Sequence, residues 1–124
     1  MGDIKALGID AGSTTTKIVG VDAGGALIWH LMDRTDPKGD EQIRAMIADG
    51  EVAAGGTVPI VATGYGRKLA VGVERAVTEI TCHARGVYRA LGRGGTLVDI
   101  GGQDSKVIRI GGKGTVVDFA MNDK

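Results

Sequence analysis

Two aspartates in this sequence end short apolar runs and are followed at once by glycine-bearing turns. In residues 7–19, LGIDAGSTTTKIV, Asp10 precedes Gly12, Ser13 and Thr14, and Lys17 lies in the next apolar run. In residues 97–107, LVDIGGQDSKV, Asp99 precedes Gly101, Gly102, Gln103 and Asp104. Each stretch reads as a strand, a tight turn and a returning strand. Glycine lets backbone N–H groups come close to a bound anion, because no Cβ blocks the approach. An aspartate at the strand end can hold Mg²⁺ through water or orient a water on that anion. Two such turns, about ninety residues apart, could hold the phosphates of one nucleotide from opposite sides. The competing reading is a pair of ordinary hairpins, the first closed by an Asx turn. For the second, Asp99 and Asp104 would repel each other unless a cation or hydrogen-bond donors intervene.

The elements that must carry these turns follow from hydrophobic pattern and punctuation. Residues 4–10, 16–21 and 26–31 are predicted as three antiparallel strands in meander order. Residues 40–49 show Ile43, Met46 and Ile47 at helical spacing, with Asp40 as the expected N-cap and Gly50 as the stop. A buried strand is expected over 58–63. A helix over about 77–91 presents Ile80, Ala84, Val87, Tyr88 and Leu91 on one face. Further strands are expected at 107–110 and 115–119. There is no GxxxxGK[ST] motif and no GxGxxG between a strand and a helix.

Composition narrows the function classes. Fifteen basic and fifteen acidic residues give zero formal charge, so no electrostatic pull toward nucleic acid or a membrane surface is expected. No apolar run approaches the length of a span, and no secretory leader is expected before the first strand. One cysteine excludes an internal disulfide framework. A soluble, cytoplasmic protein is expected. Glycine is abundant, at 22 of 124 residues, and it clusters at turns, as a hairpin-rich α/β fold requires.

Other reactive residues carry less. Glu79 opens the helix that leads into the second turn, where the helix dipole alone could account for it. Cys82 and His83 are adjacent and point to different helix faces, with no further cluster to complete a metal site. They and His30 are expected to serve packing or the surface. Arg67, in TGYGR, could meet a phosphate or lie at the surface.

The pair of turns resembles the first and second phosphate loops of the actin, sugar-kinase and heat-shock-chaperone ATPase superfamily. GIDAGSTTTK, ATGYGR, TEITCHARG, VDIGGQDSKV and the final MNDK together resemble the BadF/BadG/BcrA/BcrD ATPases. Those are the activators of 2-hydroxyacyl-CoA dehydratases and the ATP-binding subunits of benzoyl-CoA reductase. The resemblance implies a ribonuclease-H-like α/β fold with a mixed sheet opened by three antiparallel strands. Residues 1–94 would be the N-terminal ATPase lobe, and 95–124 the first hairpin of a second lobe.

The resemblance further implies an ATPase that drives a low-potential electron from a 4Fe–4S cluster into an acyl-CoA dehydratase or reductase. It would work as a homodimer or with a related ATPase subunit. By analogy, Asp10 and Asp99 would handle Mg²⁺, with Asp104 as a further ligand, and Glu79 would help position the attacking water. Gly12, Ser13, Thr14, Lys17, Gly101, Gly102 and Gln103 would contact ATP. In the family a cluster cysteine follows the NDK segment, so the cluster ligands are expected outside this sequence. The 124 residues alone are expected to bind nucleotide weakly and to lack activity. Two other readings share the loops: a phosphotransferase of the sugar- or acetate-kinase sort, and a non-catalytic assembly ATPase module.

Overall fold

A computed structural model describes residues 3–101 and 104–122. The described residues form two compact units that divide between Val77 and Thr78.

The first unit is a five-stranded sheet with one helix on it. Strands β1 (Ala6–Ala11), β2 (Thr15–Val21) and β3 (Leu27–Arg34) form the expected antiparallel meander. After helix α1 (Gly39–Ala54), β4 (Ile60–Thr63) pairs parallel to β1 on its other side. The two-residue β5 (Arg75–Ala76), which the sequence pattern does not announce, pairs parallel to β4. The strand order is β3-β2-β1-β4-β5, a mixed α/β sheet.

Alternation on β1 sends Leu7, Ile9 and Ala11 inward. There they meet Ile18 of β2, Ile60 and Ala62 of β4, and Ile43 and Met46 of α1. A fully buried Ile or Leu contributes about 1.5–3 kcal/mol, and this cluster is the main source of the unit's stability.

Helix α1 differs from its expected bounds at both ends. It starts at Gly39, so Asp40 lies in the first turn, favoured by the helix dipole, and does not cap it. It runs past Gly50 to Gly55, whose φ of +78° makes the left-handed stop. Gly50 is instead a packing residue. A Cβ there would lie 2.9 Å from Leu7 Cδ1 and 3.2 Å from Ile18 Cδ1, so its absence lets the helix settle onto the sheet.

The second unit is a three-stranded meander under a helix. Helix α2 (Glu79–Leu91) ends at Gly92, at φ +72°. Strands β6 (Gly95–Ile100), β7 (Ser105–Ile110) and β8 (Val116–Asn122) lie in that order, each antiparallel to the next. Ala84 of α2 is buried on Ile108 and Ile110, with Ile80, Val87, Tyr88, Leu97 and Val116 around them. Leu91, expected on the same face, is exposed, because it sits in the helix's last turn. Tyr88 lies against Gly114 and donates its hydroxyl to Gly112 O at 2.8 Å. Helix α2 packs on this sheet as part of the second unit.

Candidate functional site

The first turn is built by close backbone approach. Gly12 N–H donates to Thr15 O at 3.1 Å, and a Cβ at residue 12 would lie 2.5 Å from that oxygen. Only glycine closes this turn. Thr35 buttresses it from behind: its hydroxyl donates to Gly12 O at 2.7 Å, and its N–H to Thr14 O at 2.9 Å. With that proton committed, the 2.9 Å contact between the Thr16 and Thr35 hydroxyls has Thr16 as donor. Ser13 and Thr14, at the tip, are exposed.

Asp10 sits at the base of this turn, opposite Lys17 in the β1–β2 register. Its Oδ2 lies 3.4 Å from Lys17 Nζ, both side chains being partly exposed. Lys17 also donates to Thr15 Oγ1 at 2.9 Å. Asp10 Oδ1 is buried and has no hydrogen-bond partner among the described residues. The same holds for Thr63 Oγ1, and Thr63 is the neighbour of Asp10 in the parallel β1–β4 register.

Gly64 follows Thr63 with φ +95°, and a Cβ there would lie 2.5 Å from Asp10 Oδ1. This glycine is what allows β4 to close over the carboxylate. Gly66 N–H donates to Ala11 O at 2.8 Å, and Arg67 to Gly64 O at 3.0 Å. Arg67 therefore braces the loop. A cavity of about 250 Å³ beside the turn is lined by Gly12, Ser13, Thr35, Asp36, Tyr65 and Leu69, among others.

The second turn is built by charge. Asp99 on β6 faces Lys106 on β7 in register, and Gly101 N–H donates to Asp104 O at 2.8 Å. Lys106, only 5% exposed, donates to Asp104 Oδ1 at 2.8 Å and lies 3.5 Å from Asp99 Oδ2. It is the cation that the two acids require. Burial by itself lowers the Lys106 pKa, but the hydrogen bond and charge of Asp104, with the charges of Glu79 and Asp99, outweigh this and raise it above 10.5. His83 of α2 brings Nδ1 to 3.2 Å from the same Asp99 oxygen.

The structure thus gathers Asp10, Gly12, Ser13, Thr14 and Lys17 at one turn. It gathers Asp99, Gly101 and Asp104 at the other, with the charge of Glu79 felt by Lys106. Gly102 and Gln103 lie outside the described residues, as do Asp123 and Lys124. Sequence reasoning missed Lys106 and assigned His83 to packing. The signal for Lys106 was available: a hairpin turning between Ile100 and Ser105 places residue 106 opposite residue 99. For His83 there was none, because its partner comes from tertiary packing.

The donor sets can be tested against the expected groups. A partly exposed carboxylate side chain beside exposed hydroxyls and a glycine turn suits waters of a hydrated Mg²⁺ and phosphate oxygens. A 4Fe–4S cluster does not fit. Cys82 is the single cysteine, and such clusters are held by four cysteine thiolates.

Residues 7–124 match the BadF/BadG/BcrA/BcrD ATPase family. The chain belongs to that family. It is 37% identical over 121 residues to the activator of lactoyl-CoA dehydratase of Anaerotignum propionicum, covering 95% of this chain and 47% of that protein. It superposes with a TM-score of 0.83 and 33% identity on Acidaminococcus fermentans (R)-2-hydroxyglutaryl-CoA dehydratase component A, over 98% of this chain and 48% of that one. With the Clostridium difficile activator of 2-hydroxyisocaproyl-CoA dehydratase, solved with bound ADPNP, the TM-score is 0.79 at 31% identity, over 96% and 46%. The chain spans about half the length of the curated relatives it matches. The fold is that of the actin-like and sugar-kinase ATPases, as the family resemblance implied. Among the described residues no helix is long and apolar enough to cross a membrane.

Proposed function

We propose that this BadF/BadG/BcrA/BcrD chain is the nucleotide-binding half of an ATP-hydrolysing activator that drives electron transfer to an acyl-CoA dehydratase or benzoyl-CoA reductase. The carrying observation is the first turn, where the Asp10 side chain is partly exposed beside a turn that glycine alone can close. The names of several relatives as activators of 2-hydroxyacyl-CoA dehydratases support the partner class, and ADPNP bound to one of the solved relatives supports the nucleotide.

In this reading Ser13, Thr14 and the Gly12 turn bind phosphate oxygens, and Lys17 neutralises them. Asp10 accepts hydrogen bonds from metal-bound water through Oδ2. Gly101, Gly102 and Gln103 contact phosphate from the second turn, with Asp99 and Asp104 as its acids. Glu79 orients the attacking water. Mg²⁺, when bound, would offset the charge developing on the phosphates. The 4Fe–4S cluster would be held by cysteines outside this chain, in a homodimer or with a related ATPase subunit. Residues 1–94 and 95–124 would correspond to the first lobe and the start of the second, in a cytoplasmic protein.

The cavity beside the first turn favours one other reading, a sugar- or acetate-kinase-like phosphotransferase, because it could seat a small phosphate acceptor. The complete gene product, purified without oxygen, separates the two. The activator reading expects about four irons per dimer, and ATP hydrolysis that falls at least about 100-fold in Asp10→Asn and in Asp99→Asn. A colourless ATPase with unchanged turnover in both variants would overturn it.

A further inference from the structure

Thr35, just past the end of β3, holds the first turn at two points. Its hydroxyl donates to Gly12 O at 2.7 Å, and its N–H donates to Thr14 O at 2.9 Å. The carbonyls on either side of Ser13 are thus held by one residue from behind the turn.

Holding a carbonyl also aims an N–H. In a planar trans peptide the C=O and the following N–H point in opposite directions, and no described peptide bond is cis. Gly12 O points at Thr35, so the Ser13 N–H points away from it. The Ser13 and Thr14 N–H groups have no hydrogen-bond partner among the described residues, and both residues are exposed. The tip therefore offers two unused backbone donors, and the direction of one is fixed from behind.

Thr35 is itself pinned. Gln42 of α1 accepts from the Asp36 N–H at 2.9 Å and donates to Arg34 O at 2.7 Å. Both sequence neighbours of Thr35 are so fastened to the helix that packs on the sheet. Support runs from α1 through residues 34–36 to the turn, and each link across space is a hydrogen bond.

We infer that Thr35 is a positioning residue for the first turn: by holding Gly12 O and Thr14 O, it aims the Ser13 N–H at the phosphates of a bound nucleotide. The role rests on the proposed function above, since it takes phosphate to be what this turn binds. The Thr35 hydroxyl proton is already committed to Gly12 O, so the residue acts through the peptide that it orients.

Thr16 supplies the control. It is 1% exposed, and its hydroxyl bonds to Thr35, with no bond to the turn among the described residues. Thr16→Val removes that buried hydrogen bond and leaves both bonds from Thr35 to the turn. Thr35→Val removes the bond to Gly12 O, and Thr35→Ser keeps it.

The test measures Mg²⁺–ADPNP binding to the complete gene product by calorimetry, with thermal unfolding to show that each variant is folded. Thr35→Val is expected to bind about tenfold more weakly than the wild type. Thr16→Val and Thr35→Ser are expected to stay within about twofold of it. If Thr35→Val does not fold, Thr35→Ala removes the same hydroxyl and carries the same expectation.

Three results would overturn the role. One is wild-type affinity in the variant that lacks the Thr35 hydroxyl. Another is a loss in Thr16→Val as large as that in Thr35→Val, which would mark a general packing effect. The last is a folded Thr35→Ser that binds no better than Thr35→Val. A wild type that binds no Mg²⁺–ADPNP removes the proposed function, and this role falls with it. Normal wild-type binding beside an indifferent Thr35→Val removes Thr35 alone.

Discussion

The two acid-bearing turns look alike in sequence and are held by different forces. At the first, shape decides. A Cβ on residue 12 or residue 64 would come within 2.5 Å of an oxygen, and Asp10 has the partly exposed Lys17 at 3.4 Å. At the second, a Cβ on Gly101 would meet its nearest atom at 3.2 Å, a contact that small shifts relieve. There the acids are held by a lysine that is almost wholly buried. One turn is a steric device that leaves its aspartate available. The other is an electrostatic one that supplies its own counter-ion before any ligand arrives.

The largest expected effect breaks the second turn. Lys106→Met leaves Asp99 and Asp104 facing each other without a cation and should cost about 3 kcal/mol, read by urea unfolding of the second unit. Lys17→Met should cost less than about 1 kcal/mol, because its pair with Asp10 is solvated. Equal costs would erase the contrast.

A smaller effect breaks the first turn. Gly64→Ala must adopt φ +95° and push aside Asp10 Oδ1, for an expected loss of about 2 kcal/mol. Gly101→Ala is expected to cost under about 1 kcal/mol. The same unfolding measurements rank the two.

The smallest effect is a pH signature. The Lys106 pKa is raised on folding, so its contribution is fully present below the unfolded value near 10.5 and is lost as pH rises through the higher folded value. Wild-type stability should therefore fall further above pH 10.5 than that of Lys106→Met. Parallel curves for the two proteins would show that the lysine is not the group concerned.

Much of this was legible before any coordinates. Strand alternation in β1, β2 and β7 is strict, and glycine punctuation marks the turns, so the meanders and both acid positions follow from pattern. Local signals failed where the deciding partner is distant in sequence. Gly50 reads as a helix stop because nothing near it reveals that Leu7 and Ile18 press on it. His83 reads as packing because Asp99 is sixteen residues away, on another element. β5 is two residues long, too short for any periodicity. The Lys106 pairing was readable from hairpin register, but only once the turn length was fixed at the residues between Ile100 and Ser105.

Gly50 has a consequence beyond packing. Replacing a helical glycine with alanine is an ordinary way to stiffen a protein, worth roughly 0.5–1 kcal/mol. Here the added methyl would have to displace Leu7, which is 2% exposed, and Ile18, which is fully buried. Leu7 lies on the strand that carries Asp10 three residues later. Residue 50 is thus a spacer of zero thickness between helix and sheet. An engineer who thickens it would be adjusting the mounting height of an aspartate on another element, without touching the turn that the aspartate serves.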